Sequence, residues 1–322
     1  MRKITIFLTE NAMLSSLAIP LDVFKAAGVF WNMLYEKKTT PLFDVKIATI
    51  DGKPVKTYFG HELKPDISIQ DADKSDTIII PPSDASDILE PKAVSWLIES
   101  YEKGAHIASI CLGAFLLAQT GLLENKTATT HWGYMNRFRK QFPKIKLKPE
   151  KLITDEGDIF TAGGANAGGD LALYLIAKYA GKEAAFQTAR IMVMDMDRKS
   201  QSPYLLFRFE KIHGDKDVLN VQNWLEKNFN NEVSVALLAD KAGMSRRTFE
   251  RRFKKATGDS PLQYLQRIRI ENAKQLLERG GKTFDEITYM VGYEDSSTFS
   301  RFFKKTTGLS PVLYKKKYSI KI

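Results

Sequence analysis

The chain has 322 residues, enough for about two domains of ordinary size, and 43% of them are hydrophobic. Its one cysteine excludes an intramolecular disulfide, and no apolar run approaches the ~18 residues of a membrane-spanning helix. Residues 1–200 carry 25 Lys and Arg against 24 Asp and Glu, whereas residues 201–322 carry 23 against 14, so most of the net charge of +10 lies in the C-terminal third.

The N-terminal segment lacks the pattern of a signal peptide or membrane anchor. Glu10 and Asp22 interrupt the stretch that would have to be apolar in such a segment. We therefore expect a cytoplasmic protein with no membrane partner. A basic C-terminal third that is also rich in aliphatic and aromatic residues is typical of a folded domain that binds a polyanion; surplus lysines for solubility are the alternative.

Residues 1–195 alternate short apolar runs with longer runs of helical periodicity. Near-continuous apolar strands separated by helices predict a doubly wound, mostly parallel α/β sheet covered on both faces. Ligands bind such sheets at the carboxyl ends of the strands. The predicted strands are Lys3–Leu8, Phe43–Ile50, Asp76–Pro81, Ala105–Ile110 and Ile159–Gly164, and the predicted helices are Leu17–Lys37, Lys92–Gly104, Gly113–Leu123 and Gly168–Gly181.

Cys111 lies on the turn between a predicted strand and a predicted helix, in the stretch SICLGAF. Such a turn exposes its side chain, and the amides at the start of the helix can lower a thiol pKa from about 8.5 to as low as about 3.5. His131, in TATTHWGYM, is the histidine with a comparable setting. Cys111 and His131 are thus candidate catalytic residues, and a small buried cysteine is the alternative.

The periodicity is lost after residue 195. Residues 196–216 mix charges, a Ser-Pro step and a glycine, which is typical of a connection between domains with short ordered pieces. Residues 217–322 are helical in pattern and contain a repeat, since FKKATGDSP at Phe253–Pro261 matches FKKTTGLSP at Phe303–Pro311. We therefore predict a first domain, a linker and an all-α second domain.

Each copy of the repeat has the pattern helix, tight turn, helix. Ser234 and Thr283 are N-cap residues, and Gly243 and Gly292 supply the left-handed turn residue. The pattern predicts helix-turn-helix units at residues 234–256 and 283–306. The predicted inward-facing residues of the second helices are Phe249, Phe253 and Ala256 in one copy, and Phe299, Phe302 or Phe303, and Thr306 in the other.

The outer faces of these second helices fit a DNA major groove. Arginine near the start of such a helix can bond guanine twice, and lysines at its end meet phosphates. Two solvated basic helices are the alternative, but they would explain neither the turn glycines nor the duplication. The predicted DNA-binding residues are Arg246, Arg247, Glu250, Arg251 and Lys254 in the first copy, and Ser297, Ser300, Arg301 and Lys304 in the second.

The C-terminal residues resemble the AraC/XylS family of bacterial transcription regulators. The long helix SPLQYLQRIRIENAKQLLERG (Ser260–Gly280) between two helix-turn-helix units and the stretch YEDSSTFSRFFKKTTGLSP (Tyr293–Pro311) carry the resemblance. It implies that both recognition helices enter successive major grooves of double-stranded DNA near a promoter, in the bacterial cytoplasm and at the nucleoid. An activator is the expected form of regulator, with RNA polymerase a candidate partner.

The N-terminal residues resemble the PfpI/ThiJ branch of the class I glutamine amidotransferase-like superfamily. SICLGAFLLAQTGLLENKTATTHW (Ser109–Trp132) and FTAGGANAGGDLALYLI (Phe160–Ile176) carry this resemblance. It implies a flavodoxin-like sheet, in which Cys111 matches the cysteine of the family's strand-to-helix turn and His131 matches the family's histidine.

The chain departs from that family's catalytic pattern at three positions. Gly133 stands where the amidotransferases have an acid, and Ser16 stands where PfpI/ThiJ proteins keep a glutamate beside the thiol. Pro82, with Ser83, replaces a Gly-Gly pair and so removes one N–H donor for an oxyanion. These departures favour ligand binding over catalysis.

We therefore predict a transcription regulator whose first domain senses a small metabolite. The expected pocket residues are Cys111, His131, Trp132 and Ser16, with core packing the alternative for Trp132. An amino acid or quaternary amine is the expected effector, because the resemblance implies it and an aromatic wall attracts ammonium groups. We expect a homodimer without cofactor or metal. The alternatives are a cysteine-dependent amidase, hydratase or glyoxalase-like enzyme fused to a DNA-binding domain, and a first domain that serves only for dimerisation.

Overall fold

The computed structural model describes residues 1–72, 74–207, 209 and 211–319. It divides into two compact units, Met1–Gln201 and Ser202–Ile322. The division falls inside the segment 196–216 that the sequence assigns to a linker. None of the described helices is long and apolar enough to cross a membrane.

The strands of the first unit are short, and those of the sheet centre are almost wholly buried. Each residue of the strand at Thr77–Ile80 is buried, as expected for a strand covered on both faces. The five predicted strands are present, with ends within two residues of their predicted positions. The described strands are β1 (Arg2–Phe7), β2 (Phe43–Thr49), β3 (Val55–Lys56), β4 (Glu62–Leu63), β5 (Ile67–Ser68), β6 (Thr77–Ile80), β7 (His106–Ile110), β8 (Thr127–Ala128), β9 (Lys146–Leu147), β10 (Ile153–Asp155) and β11 (Ile159–Ala162).

Seven of these strands form one sheet in the order β10-β11-β7-β6-β1-β2-β5. Neighbouring strands are parallel, except that β10 is antiparallel to β11 at one edge. The chain adds strands first on one side of β1 and then on the other, so the strand order reverses there, and ligands bind near such a reversal. The predicted doubly wound, flavodoxin-like sheet is confirmed.

Helices cover both faces of this sheet. Ile4 and Ile6 of β1 belong to a core cluster with Phe24 and Leu171. Phe7, which points to the opposite face, contacts Trp96 with ring centroids 5.3 Å apart. The described helices of this unit are α1 (Leu14–Ala26), α2 (Phe30–Leu34), α3 (Pro91–Glu102), α4 (Gly113–Gln119), α5 (Met135–Gln141), α6 (Ala167–Ala180) and α7 (Lys182–Ile191).

The prediction of one continuous helix over Leu17–Lys37 was wrong. The chain turns at Gly28, which separates α1 from α2 and has a φ of +74°. A β-carbon at Gly28 would lie 2.1 Å from the Thr40 carbonyl oxygen. Only glycine combines that backbone conformation with so close an approach. The helix therefore breaks at Gly28, although the apolar periodicity of the sequence continues across it.

All regular elements described in the second unit are helical. They are a 3-10 turn at Ser202–Tyr204 followed by α8 (Lys216–Asn228), α9 (Val235–Lys241), α10 (Arg246–Thr257), α11 (Pro261–Arg279), α12 (Phe284–Met290), α13 (Ser296–Thr307) and α14 (Pro311–Tyr318). Two core clusters pack against successive halves of α11. The first contains Phe249 and Phe253 of α10, and the second contains Phe299 and Phe303 of α13.

Local sequence sets the ends of these helices. The N-cap residues Ser234 and Thr283 accept hydrogen bonds from amides three residues on, as the sequence indicated. Gly258 and Gly308 end α10 and α13 in the left-handed conformation, with φ of 82° and 77°. The two helix-turn-helix copies are therefore bounded by the same kinds of capping residue at their helix ends.

Candidate functional site

The carboxyl edge of the sheet holds a strained turn at Cys111. This residue lies between β7 and α4 and has a φ of 55°, in the left-handed region that residues other than glycine rarely adopt. The turn is tight because α4 begins against β6: a β-carbon at Gly113 would lie 2.3 Å from the Ile80 carbonyl oxygen. The strand-cysteine-helix turn expected from the sequence is therefore present.

The Cys111 thiol is buried, although the turn itself lies at the edge of the sheet. The residue is 6% exposed and belongs to the core cluster around β1, α1 and α6. Burial raises the pKa of the thiol to about 12, and a hydrogen bond from the Leu112 amide acts in the opposite direction with less effect. The shift is opposite to that of an activated nucleophile.

His131 is held by its own loop. The residue before it, Thr130, donates its hydroxyl to the Cys111 carbonyl at 2.8 Å. The His131 Nδ1 accepts a hydrogen bond from the Gly133 amide at 3.0 Å, so in the neutral ring the proton lies on Nε2. Burial lowers the pKa of His131, which favours that neutral ring. None of the hydrogen bonds between described residues joins the thiol to the imidazole, and His131 is arranged as a donor rather than a base.

Trp132 and Ser16, the other predicted pocket residues, are fixed by different contacts. Trp132 is half-buried and stacks on the His131 ring, with centroids 5.2 Å apart and planes inclined at 29°. Ser16 is fully buried near the start of α1, where its hydroxyl donates to the Ala165 carbonyl at 3.2 Å. The turn holding Trp132 thus adjoins Cys111, whereas Ser16 is anchored to the loop after β11.

The loop after β6 also reaches this edge. The Pro82 carbonyl accepts a hydrogen bond from the Met13 amide at 3.1 Å, which ties the loop to the start of α1. The next residue, Ser83, is buried, and its hydroxyl has no hydrogen-bond partner among the described residues. A buried hydroxyl without a partner is uncommon in folded proteins and can serve a bound ligand.

Gln201 is a residue of this edge that the sequence placed in the linker. It is 2% exposed, and its Nε2 donates to the Thr129 hydroxyl at 3.1 Å and to the Thr130 carbonyl at 2.8 Å. It packs so closely on Gly163 that a β-carbon there would lie 2.7 Å from the Gln201 amide group. Gln201 therefore supports the segment that leads to His131, and no local sequence signal marks it.

Asp170, in the first turn of α6, is a second buried polar group that the sequence did not single out as functional. Arg198 approaches it with Nη1 3.1 Å from Oδ2. Burial raises the pKa of Asp170 to about 6, because desolvation outweighs the opposing effect of Arg198. Asp170 therefore takes up its proton in a pH range where ordinary aspartates are fully charged.

A cavity of about 460 Å³ also opens at the carboxyl ends of β1 and β2, within the size range of small-molecule sites. None of the four predicted pocket residues lines it. Apolar and charged side chains both line it. The lining residues that carry charge are Glu10, Asp51, Lys53, Asp87 and Glu90. Among the described residues no group of three or more His, Cys, Asp and Glu side chains is arranged to hold a metal ion.

The outer faces of the two recognition helices, α10 and α13, carry the predicted DNA-binding side chains. Seven of the nine are exposed, and Glu250 and Ser300 are half-buried. The seven are Arg246, Arg247, Arg251, Lys254, Ser297, Arg301 and Lys304. Lys255 and Lys305, which the sequence analysis left out, are exposed in the last turn of each helix and extend the basic surface.

An arginine that is not among the predicted DNA-binding residues anchors the first recognition helix to α8. Arg252 of α10 bonds Asp215 with Nε at 2.9 Å and with Nη2 at 2.7 Å, and also reaches Asp217. Asp215 is the N-cap of α8, so this pair holds α10 against α8. On the outer face, Arg246 lies 3.5 Å from Glu250 one turn away.

The second recognition helix differs from the first in its start and its core face. Its N-cap is Asp295, whereas the N-cap of α10 is the uncharged Ser245. Thr306, predicted to face the core, is exposed, and Thr307 is buried instead, as Thr257 is in the first copy. Phe303 rather than Phe302 is the fully buried aromatic. The prediction of Thr306 was wrong because a helical period of 3.6 leaves adjacent positions ambiguous.

Both units match families of known proteins. The model of the DJ-1/PfpI family matches residues 2–178, more than half of the chain, and a helix-turn-helix domain model matches residues 238–317. The HTH-type transcriptional regulator CdhR of Pseudomonas aeruginosa is 26% identical over 259 residues, covering 80% of this chain and 76% of that protein.

Two further matches concern the first unit. The isonitrile hydratase of Pseudomonas putida is 29% identical over 167 residues, covering 51% of this chain and 70% of that enzyme. The crystal structure of an AraC family transcriptional regulator from Pseudomonas putida matches 60% of this chain and all of that one, with a TM-score of 0.52 and 20% identity, which shows a shared fold. The chain therefore belongs to the DJ-1/PfpI family, and it joins this domain to an AraC-type helix-turn-helix domain, the architecture of a DNA-binding transcriptional regulator.

Proposed function

We propose that this chain activates transcription by sequence-specific binding to double-stranded DNA, and that a small metabolite bound by the first unit controls it. The observation that carries the proposal is the pair of exposed basic faces on two helix-turn-helix units of a single chain. Such faces meet phosphates through lysine and base edges through arginine. Arg246, Arg247, Arg251 and Arg301 are the proposed base readers.

The proposed effector site is the edge of the sheet around Cys111, His131 and Trp132. The groups there are neutral: a protonated thiol, an imidazole that donates from Nε2, and an indole stacked on it. An aromatic pair of this kind suits the ammonium group of an amino acid or a quaternary amine. Ser16, the fourth predicted pocket residue, donates its hydroxyl to the Ala165 carbonyl, and its contact with the ligand stays a prediction.

Thermal melting of the full chain against a panel of amino acids and quaternary amines tests this site. A ligand that binds the folded state raises Tm. We expect Trp132→Ala to remove that shift and Glu90→Gln, in the separate cavity at the ends of β1 and β2, to preserve it. Loss of the shift in Glu90→Gln alone would place the effector in that cavity. No shift with any compound would support a first unit that serves only for dimerisation.

A cysteine-dependent hydratase is the second candidate function. It is favoured by the strained φ of Cys111 and by the similarity to the isonitrile hydratase. A raised thiol pKa and an imidazole whose Nδ1 is already occupied count against it. We expect Cys111→Ser to leave effector-dependent reporter activation largely intact. Loss of a measurable turnover together with activation in this variant would establish the enzyme.

We also propose that the regulator is a cytoplasmic homodimer that contacts RNA polymerase when bound at the nucleoid. An exposed apolar group on α2 supports a second copy as the partner: Phe30 is 46% exposed, Met33 59% and Leu34 62%. Light scattering after gel filtration should give twice the monomer mass, and Leu34→Glu should reduce it to the monomer value.

A further inference from the structure

Arg269 lies in α11 at the junction between the two core clusters of the second unit. The adjacent residues belong to different clusters, Ile268 to the first and Ile270 to the second. The Arg269 Nε donates to the Phe229 carbonyl at 2.8 Å, and its Nη2 donates to the Asn231 carbonyl at 2.9 Å. Both acceptors lie in the loop that enters the first helix-turn-helix unit.

The guanidinium is bound by carbonyl groups rather than by a carboxylate. No salt bridge between described residues includes Arg269, and burial lowers its pKa. Phe229 is the C-cap of α8, where carbonyls lack helical partners and the helix dipole favours a cation. The planar fork of arginine spans two such acceptors, which a lysine ammonium cannot reproduce.

The other side of Arg269 meets the turn of the second helix-turn-helix unit. Its guanidinium carbon lies 5.2 Å from the Tyr293 ring centre. The Tyr293 ring stacks on Phe299 of recognition helix α13, with centroids 4.4 Å apart. At the turn glycine, Gly292, a β-carbon would lie 2.7 Å from the Asn230 carbonyl oxygen and 2.9 Å from the Arg269 Nη2.

The turn glycine of the first copy of the repeat is open by comparison. A β-carbon at Gly243, the equivalent glycine, would meet no atom of the described residues within 4 Å. The duplication therefore accounts for both turns but not for the contact between Arg269, the loop at Phe229–Asn231 and the turn at Gly292–Tyr293. This contact joins the loop that enters the first helix-turn-helix directly to the recognition helix of the second helix-turn-helix.

We propose that Arg269 is a positioning residue that sets the separation and rotation of the two recognition helices, and so determines which spacing of two major-groove half-sites the protein accepts. A continuous α11 alone permits bending and twisting between the two helix-turn-helix units. The bonds from Arg269 restrict that freedom, because they tie both helix-turn-helix units to the same point of α11. The inference rests on the DNA binding proposed above.

The experiment measures spacing preference with the full-length chain. The probe is a duplex selected from a random pool by the wild type, together with the same duplex carrying one inserted base pair between the two protected grooves, which rotates one half-site by about 34°. Fluorescence anisotropy gives both dissociation constants. We expect the wild type to prefer the selected spacing by about tenfold or more, and Arg269→Gln to prefer it by less than about threefold.

Arg267→Gln is the matched control. Arg267 lies two residues before Arg269 in α11, but it pairs with Asp259 at 3.1 Å and stacks on Phe207, within the first half of the helical domain. It should keep the spacing preference of the wild type. Arg269→Lys, which retains the charge but not the fork, should lose most of the preference, and it decides the question if Arg269→Gln fails to melt cooperatively.

Retention of the full spacing preference in a folded Arg269 variant would overturn the inference, as would an equal loss of preference in Arg267→Gln. These outcomes are distinct from a failure of DNA binding itself. If the wild type selects no duplex from the pool, the proposed function fails. If the wild type selects one and all variants behave alike, only the role of Arg269 fails.

Discussion

The two units keep their candidate functional side chains in opposite environments. In the first unit Cys111 is 6% exposed and Ser16 is fully buried. In the second unit the Arg246 side chain is 69% exposed, and its neighbours on the recognition helix are exposed as well. The first site has neutral groups that are buried or half-buried at the edge of a sheet, and the second is an exposed charged surface.

This difference corresponds to two kinds of recognition. A buried neutral site discriminates through hydrogen bonds that must be satisfied once water is excluded, because an unpaired polar group there is costly. An exposed cationic face attracts a polyanion at a distance and depends on salt. The chain thus combines a site suited to a small molecule with a surface suited to DNA, and each can be tested by removing what defines it.

Reactivity of the single cysteine should show the largest effect. With a thiol pKa of about 12, the native protein at pH 8 contains almost no thiolate, whereas the unfolded chain contains an appreciable fraction. We expect iodoacetamide to alkylate the native protein about a thousandfold more slowly than the urea-unfolded chain. Mass spectrometry of timed samples measures both rates. Native and unfolded rates within tenfold of each other would show that the thiol is not sealed.

Two glycines contrast a crowded site with an open one. A β-carbon at Gly113 would collide with the Ile80 carbonyl, whereas one at Gly243 would meet no described atom within 4 Å, so that only the positive φ of 61° disfavours a side chain there. Gly113→Ala should lower the free energy of unfolding of the first unit by about 3 kcal/mol, and Gly243→Ala should lower that of the second by about 1 kcal/mol. Urea unfolding followed by hydrogen exchange in each unit measures both. A larger loss at Gly243 would contradict the contrast.

Recognition-helix arginines test the charged surface. Arg251→Ala and Arg301→Ala should each weaken specific DNA binding by roughly 1–3 kcal/mol while leaving binding to random duplex less affected. Arg252→Ala is the control, because Arg252 faces Asp215 rather than solvent, and its loss should lower stability more than base discrimination. Equal weakening on specific and random duplexes would reduce Arg251 and Arg301 to phosphate contacts.

Asp170 gives the smallest expected effect, a pH dependence of the first unit. Its pKa in the folded state is raised to about 6, above the unfolded value, so its contribution to stability is present below about pH 4 and is lost as pH rises through about 6. We expect this group to lower the free energy of unfolding by about 1–2 kcal/mol between pH 5 and 7. Asp170→Asn should abolish that part of the slope in urea titrations. An unchanged slope would assign the pH dependence to other groups.

Sequence periodicity and turn residues were sufficient for the architecture. Five of the seven strands of the sheet, the helix-turn-helix units and the caps at Ser234 and Thr283 follow from signals within a few residues of where they act, whereas the short edge strands β5 and β10 were not predicted. The position of Cys111 between a predicted strand and a predicted helix located the turn there, and the structure confirms its geometry. The break at Gly28 was missed because the apolar pattern continues across it.

Contacts between distant residues could not be read from the sequence. The bonds from Arg269 reach residues about forty positions earlier, and Gln201 supports Thr129 from more than seventy positions away. The raised pKa of Cys111 depends on burial by several elements, so the reactivity of a cysteine at a strand-to-helix turn does not follow from its local motif alone.

Gln201 has a practical consequence for dissecting this regulator into parts. It is the last residue of the first unit, and the next residue, Ser202, already belongs to the second. A truncation after residue 195, where the sequence pattern ends, would delete the side chain that satisfies the Thr130 carbonyl and fills the space over Gly163. Hybrid regulators that exchange DNA-binding domains should therefore be joined after residue 201, since an earlier junction would leave the first unit without Gln201.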